Sequence, residues 1–415
     1  MRKAKSFKIS KEAVVEAWKH VKANQGAAGV DNESIADFEK DLKGNLYRIW
    51  NRMASGSYFP PPVRTVAIPK KTGGERMLGI PSVSDRVAQM VTKLYFEPMV
   101  EPHFHEDSYG YRPYKSAIQA VGVTRQRCWR YNWVLEFDIK GLFDNIDHEL
   151  LMRAVRKHTD SKWILLYVER WLKAPFQKAD GTLIERTKGT PQGGVISPVL
   201  SNLFLHYVFD VWMKRNYPER PFCRYADDGI VHCRTKPEAL ALRKALEVRF
   251  RECKLELHPE KTRIVYCKDS NRREEYPLIS FDFLGFTFRP RKAKDRKGRY
   301  LVSFSPGVSN KAGKEMRQKS RRWELHLRSD KSLEDLSRII SPIIRGWINY
   351  YGSFYKSALY PTLQHLNNIL VRWARRKFKR LKSHLTRAVY WLGRVAKRQP
   401  QLFPHWQFGI RPTAG

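Results

Sequence analysis

The stretch FCRYADDGIVHC, Phe222–Cys233, reads as two short strands meeting at the dipeptide Asp227-Asp228. Apolar and β-branched residues flank a tight polar turn, which predicts a hairpin with carboxylates at its tip. An Asp-Asp pair at a turn is by itself ordinary turn chemistry. Its meaning depends on what else the chain supplies. Almost ninety residues earlier, NWVLEFDIKG (132–141) is a buried strand that leaves through another carboxylate, Asp138. If the two strands lie side by side in one antiparallel sheet, Asp138, Asp227 and Asp228 converge. Three clustered carboxylates repel one another unless cations sit between them. Carboxylate oxygens suit Mg²⁺ in octahedral geometry, and two such ions ~3.5–4 Å apart clamp an in-line phosphoryl displacement.

Working outward, GTPQGGVISPVLSNLFL (189–205) opens a helix with Ser197 as cap, Pro198 in the first turn, and Leu200, Leu203, Phe204, Tyr207, Val208 and Val211 along one face. Towards the N-terminus, VRTVAIPKKTGGERMLGIP (63–81) alternates around Thr72-Gly73-Gly74 as strand–turn–strand. Residues 10–23, 34–53, 82–100 and 116–130 read as helices. Past RPRKAKDRKGRYLVSFSPGVSNKAG (289–313), of loop and hairpin composition, the pattern is helical and basic from about 314 to 395. The division expected is an N-terminal helical extension (1–60), a mixed α+β region (61–295), an all-α region (296–385) and a short basic tail (386–415).

Charge narrows the choice of partner. The 415 residues carry a net +37, which calls for a polyanion, and nucleic acid is the default. Residues 291–415 hold 29 basic against 6 acidic side chains, so the last third is the dedicated anion-binding region. No apolar run is long enough to span a bilayer, and the basic N-terminus lacks a signal-type apolar core, so an intracellular protein is expected. The five cysteines form no Cys-x-x-Cys pair, which points to reduced, mostly buried thiols. His103 and His105 alternate in EPHFHEDSYG without further ligands nearby, a poor zinc site. In RWARRKFKRLKSH (372–384), Trp373, Phe378, Leu381 and Leu385 can form one buried helical face. Arg372, Arg375, Arg376, Lys377, Lys379, Arg380 and Lys382 then cover the rest and suit a nucleic-acid backbone. Trp347 and Phe354, seven apart, read as a core stripe.

These blocks, in this order, resemble the group II intron reverse transcriptases, over about residues 10–380. FDIKGLFDNIDHELL, GTPQGGVISPVLSNLFL, YADD, LELHPEKTRIVY and FDFLGFTF carry the likeness, with SYGYRPYKSAIQAV and IPKKTGGERMLGIPSVSDRVAQ before them. The resemblance implies a right-hand polymerase of α+β class: fingers, a palm with an antiparallel sheet, and an all-α maturase/thumb domain (296–385), in which IISPIIRGWINYYGSFYKSALY (339–360) is similar to the maturase-specific region.

It also implies roles. Asp138, Asp227 and Asp228 would hold two Mg²⁺ ions, with Mn²⁺ as a substitute. Lys70 and Arg76 would contact the triphosphate of an incoming dNTP, and Gln192 would line its pocket. Phe143 would lie under the sugar and exclude a 2′-hydroxyl, although read alone it is a core aromatic. Ala226 would leave room beside the primer terminus, and Asp144 would be structural. Implied partners are a group II intron RNA in a ribonucleoprotein, an RNA template with a DNA primer, dNTPs and target DNA, in the bacterial cytoplasm or at the nucleoid. The likeness is to the compact type without an endonuclease, which leaves the primer source open. A splicing cofactor that only binds RNA, and a polymerase taken over by its host for repair or defence, stay open as alternatives.

Overall fold

The computed structural model describes residues 5–69, 75–295 and 297–413, without the side chain of Arg76. Its strands are β1 (Val63–Pro69), β2 (Glu75–Ile80), β3 (Trp133–Asp138), β4 (Phe176–Gln177), β5 (Leu183–Ile184), β6 (Phe222–Tyr225), β7 (Asp228–Cys233), β8 (Arg263–Tyr266), β9 (Phe281–Phe283), β10 (Phe286–Lys294) and β11 (Tyr300–Val308). They form three sheets, in the orders β2-β1-β4-β5, β6-β7-β3-β8 and β11-β10-β9. The α+β class expected from the sequence is what the chain adopts.

The chain folds as two compact units. The first comprises Met1–Ser116, Leu135–Val231 and Pro237–Arg263; the second comprises Ala117–Val134, His232–Lys236 and Ile264–Gly415. In the first, β1 and β2 pair antiparallel with Thr65 opposite Gly79 and Val66 opposite Leu78, as the alternation predicts. Helix Val83–Val100 runs through this unit's core with Val83, Val87, Ala88 and Val91 fully buried. The single helix expected over 34–53 is two, Ile35–Lys40 and Leu42–Ala54. Asp41 separates them: its carboxylate accepts from the Gly44 amide and caps the second helix, which a mid-helix residue cannot do.

The helix after Gly194 begins at Ser197, with Ile196 rather than Ser197 in the capping position. It passes through a π turn at His206–Asp210 before Val211–Asn216. The extra residue rotates the buried face, so Phe209 and Asp210 turn fully inward while Tyr207 and Val211 are only half-buried.

In the second unit, helices Asn310–Arg321, Leu333–Tyr351, Tyr360–Lys377 and Leu385–Arg398 enclose a core with Trp373 and Trp406 almost wholly buried. Residues beyond 385 contribute to that core through Ala388, Leu392, Phe403 and Trp406. The continuous helix read over 372–384 ends at Lys377, and Phe378 is extended (φ −107°, ψ 114°). Trp373 and Phe378 are five apart, a spacing that an unbroken helix would put on different faces. The break lets the Phe378 ring meet Trp373 at 6.0 Å and Trp391 at 5.0 Å. Leu385, expected on the buried face, is 57% exposed. Phe354 lies past the end of its helix at Tyr351, so it shares no helical face with Trp347, whose ring stacks on Trp323.

All five cysteines are free and buried. His105 packs on Phe222 and His103 on His158, and among the described residues no three His, Cys, Asp or Glu side chains are gathered as a metal-ligand group.

Candidate active site

The β6–β7 hairpin pairs Tyr225 with Asp228, leaving Ala226-Asp227 as a two-residue loop. Ala226 has φ +54°, a conformation that favours glycine, yet it is held there. Arg224, fully buried on β6, supplies much of the support. Its Nε and Nη2 donate to the two carboxylate oxygens of Asp210 at 2.8 and 2.7 Å. Its Nη1 donates to the Ala226 carbonyl and to Asn202 Oδ1, each at 3.2 Å. Asn202 Nδ2 donates in turn to the Gly110 carbonyl at 2.6 Å. A Cβ at Gly110 would stand 2.4 Å from the Ala226 nitrogen, so only glycine lets the 107–110 segment lie against the hairpin tip. The sequence reading missed Arg224, Asp210 and Asn202. An arginine amid apolar strand residues was the available signal.

Asp138 closes β3, 7% exposed, and its carbonyl accepts from the His258 amide at 2.8 Å. Gly229, at the start of β7, lies flat on the Phe137 ring, where any Cβ would collide. This contact brings the hairpin tip to the end of β3. The Lys261 ammonium donates to Asp138 Oδ2, a partner that lies within the block LELHPEKTRIVY but was assigned no role from sequence. Burial lowers and Asp138, Asp228 and Asp227 raise the Lys261 pKa, and the net is upward.

Asp228 is pushed up to about 7 by burial, then by the charges of Asp227 and Asp138. Its side chain is nonetheless exposed to water. The three carboxylates thus feel one another, and one ammonium partly neutralises them. With the Lys261 ammonium on Asp138 they are not drawn together as a ligand group, but carboxylate oxygens are the donors that a hard divalent cation takes.

The turn after Asp138 docks onto the glycine-rich segment. Gly189 and Thr190 donate backbone N–H groups to the Ile146 and Phe143 carbonyls at 2.7 Å, and a side chain at Gly189 would strike those of Phe143 and Asp144. Gly79 on β2 donates to the Gln192 carbonyl at 2.8 Å, and Gly193 (φ +116°) fits closely over Gly79. Gln89 Oε1 accepts from the Val195 amide at 2.8 Å while its amide donates to buried Asp85, which also receives Tyr58 and Trp171. This buried network fixes the segment carrying Gln192, whose amide lies 3.4 Å from Asp144. Phe143 is half-buried rather than a core aromatic. Lys70 and the side chain of Arg76 lie outside the described residues.

Of the C-terminal cations, Arg372, Arg376, Lys379, Arg380 and Lys382 are exposed. Arg375 instead donates to the Lys382 carbonyl, and Lys377 to the Ser329 and Lys331 carbonyls, so these two tie the chain down locally.

A hairpin tip with two carboxylates, set against a strand-end carboxylate in so basic a chain, has the form of a nucleotidyl-transferring polymerase palm. The chain belongs to the reverse transcriptase (RNA-dependent DNA polymerase) family, whose model matches residues 68–288, and the maturase-specific domain of group II introns matches residues 313–391. It is an RNA-directed DNA polymerase joined to a maturase domain, which makes intron RNA an implied partner. Protein YkfC of Escherichia coli K12 is 32% identical over 298 residues, covering 62% of this chain and 78% of that protein. The group II intron-encoded protein LtrA of Lactococcus lactis subsp. cremoris is 32% identical over 213 residues, 49% of this chain. The chain spans only 35% of LtrA's length. Among solved structures, telomerase from Candida albicans is similar at a TM-score of 0.45 and 11% identity, covering 91% of this chain and 68% of that one. No described helix is long and apolar enough to cross a membrane.

Proposed function

We propose that Asp138, Asp227 and Asp228 are the metal-binding catalytic residues of RNA-templated DNA synthesis. Two Mg²⁺ ions, with Mn²⁺ able to stand in, would supply activation of a primer 3′-hydroxyl and neutralisation of the leaving pyrophosphate. The chain's own part is positioning. The Arg224 network holds Ala226 and Asp227 at a fixed tip, where the small Ala226 side chain leaves space for a primer terminus. Phe143 selects deoxynucleotides by overlap with a 2′-hydroxyl, Gln192 lines the nucleotide pocket, and Lys70 and Arg76 meet the triphosphate. The exposed C-terminal cations bind RNA backbone.

Residues 1–60 act as an extension, 61–295 as fingers and palm and 296–385 as thumb, while 386–415, packed into the same core as the thumb helices, offers DNA the exposed Arg387, Arg394, Lys397 and Arg398. The protein works with its intron RNA in the bacterial cytoplasm, copying RNA from a DNA primer with dNTPs at target DNA. The observation that carries this reading is that three carboxylates act on one another at the hairpin tip and the end of β3, where burial first, and then the charges of Asp227 and Asp138, raise Asp228 to about 7. A protein that only bound RNA would have no use for such a cluster, which costs stability without a cation.

The test is Asp227→Ala in primer extension with Mg²⁺, alongside RNA binding. Extension should be abolished while RNA affinity stays within a few fold. Extension near the unmutated rate removes the hairpin from the mechanism.

A further inference from the structure

A cavity of about 370 Å³ lies in the second unit, away in sequence from the carboxylates. It is lined by Arg125 and Trp129 from helix Ala117–Cys128 and the turn after it, by the facing strands β10 and β11, and by Phe354 and Tyr355. The strand register puts Arg291 opposite Ser303 and Ala293 opposite Leu301, so these four share one sheet face.

Two guanidiniums give the cavity its character, and each lies on an aromatic ring. Arg125 sits 4.7 Å from the Trp129 ring centre and 5.7 Å from that of Phe354. Arg291 sits 4.9 Å from Tyr355 and donates to the Ser305 and Thr287 carbonyls. Among the described residues, the lining holds no carboxylate. Arg125 Nε is buried without a hydrogen-bond partner, and burial alone lowers the pKa of its guanidinium.

Trp129 completes the set. It is 46% exposed, and its indole N–H is fixed by a 3.0 Å bond to the Phe304 carbonyl, which holds an open ring face in place. The Ser303 and Ser305 hydroxyls, 3.1 Å apart, add neutral donors and acceptors on the opposite wall.

A guanidinium in a lining without a carboxylate calls for an anion, and a fixed, exposed indole beside it calls for a flat ring. We infer that this cavity holds one nucleotide of a single-stranded nucleic acid, its base stacked on Trp129 and its phosphate on Arg125. A duplex would keep its bases stacked inside and offer only phosphates, leaving the indole idle. The inference rests on the reading of the chain as a nucleic-acid polymerase, but it adds a strand contact separate from the carboxylate site.

The test uses the full chain and an octamer of uridine carrying one 4-thiouridine. Photocrosslinking to the unmutated protein, mapped by mass spectrometry, should mark the peptides containing Trp129 or Tyr355. Trp129→Ala and Arg125→Gln should each weaken octamer binding about tenfold, within the range for removal of one stacked base. Trp129→Phe should restore most of it, and binding of an RNA duplex of equal length should change little. Extension of a pre-annealed primer–template at saturating protein should persist in both variants, whereas failure of the polymerase reading would appear there in the unmutated chain. Crosslinks confined to other peptides, together with unchanged octamer affinity in Trp129→Ala, overturn the proposal. Uridine monophosphate binding as tightly as the octamer overturns the strand assignment.

Discussion

Arg224 and Asp210 form a bidentate ion pair in which neither side chain is exposed to solvent, directly behind the loop that carries Asp227. Breaking one side of such a pair leaves a buried charge without compensation. Asp210→Asn should therefore lower stability by roughly 3–5 kcal/mol, read from denaturant midpoints. The double variant Asp210→Leu/Arg224→Met removes both charges and should recover much of that stability. It also removes the bond to the Ala226 carbonyl, so DNA synthesis should stay impaired in the refolded double variant. Full activity in it would show that Arg224 serves only stability.

Magnesium dependence should be tied to pH. Asp228, with its pKa raised to about 7, holds a proton in the folded protein where an ordinary carboxyl has released it. A protonated carboxyl cannot bind a cation, so the Mg²⁺ concentration for half-maximal extension should rise as pH falls through 7 and level off above it. The same sign governs stability without metal. The folded state binds the extra proton, so stability should fall as pH climbs from about 4 to 7, an interval set by the usual and raised values. Lys261 competes for Asp138, and Lys261→Met should lower the half-maximal Mg²⁺ concentration whatever it does to the maximal rate. Thermal melts with and without Mg²⁺ across this pH range, with extension titrations, check all three.

Deoxynucleotide selection is predicted to depend on Phe143. Its ring is half-buried on the turn after Asp138, and its carbonyl anchors Thr190 two residues before Gln192. Truncation should spare that backbone bond while opening space beside a bound sugar. Phe143→Ala should admit ribonucleotides in single-nucleotide extension and keep much of the deoxynucleotide rate. Unchanged discrimination would make Phe143 a packing residue.

What could be read in advance followed from periodicity. The alternation in 63–69 and 75–80, the apolar core of β3 and the Asp-Asp hairpin are local patterns, and each gave its element nearly to the residue. The supports of the site are not local. Asp210 turns inward only because a π turn shifts the helical phase after Leu205, which a reading at 3.6 residues per turn cannot register. Lys261 meets Asp138 across 123 positions of sequence. The break at Phe378 shows the same limit in reverse. Residues 372–384 contain no proline or glycine to stop a helix, and the stop comes from where the Phe378 ring finds Trp373 and Trp391.

That break changes what the C-terminal cations should do. Neutralising all four of Arg375, Arg376, Lys379 and Arg380 would remove the guanidinium that holds the Lys382 carbonyl, and the result would mix unfolding with binding. Arg376, Lys379 and Arg380 are exposed and form the cleaner set. Each phosphate that a cation no longer neutralises should reduce the slope of log affinity against log salt by ~0.7–0.9. Replacing these three with glutamine should therefore lower the slope for RNA binding by roughly two to three, with melting temperature and saturated single-turnover extension little changed. Arg375→Gln alone should do the opposite, loosening the 378–382 turn while the slope moves by less than a single phosphate's share. An unchanged slope in the triple variant would mean that these cations face only water. A collapse of saturated extension with the fold intact would instead set them against the primer–template during synthesis.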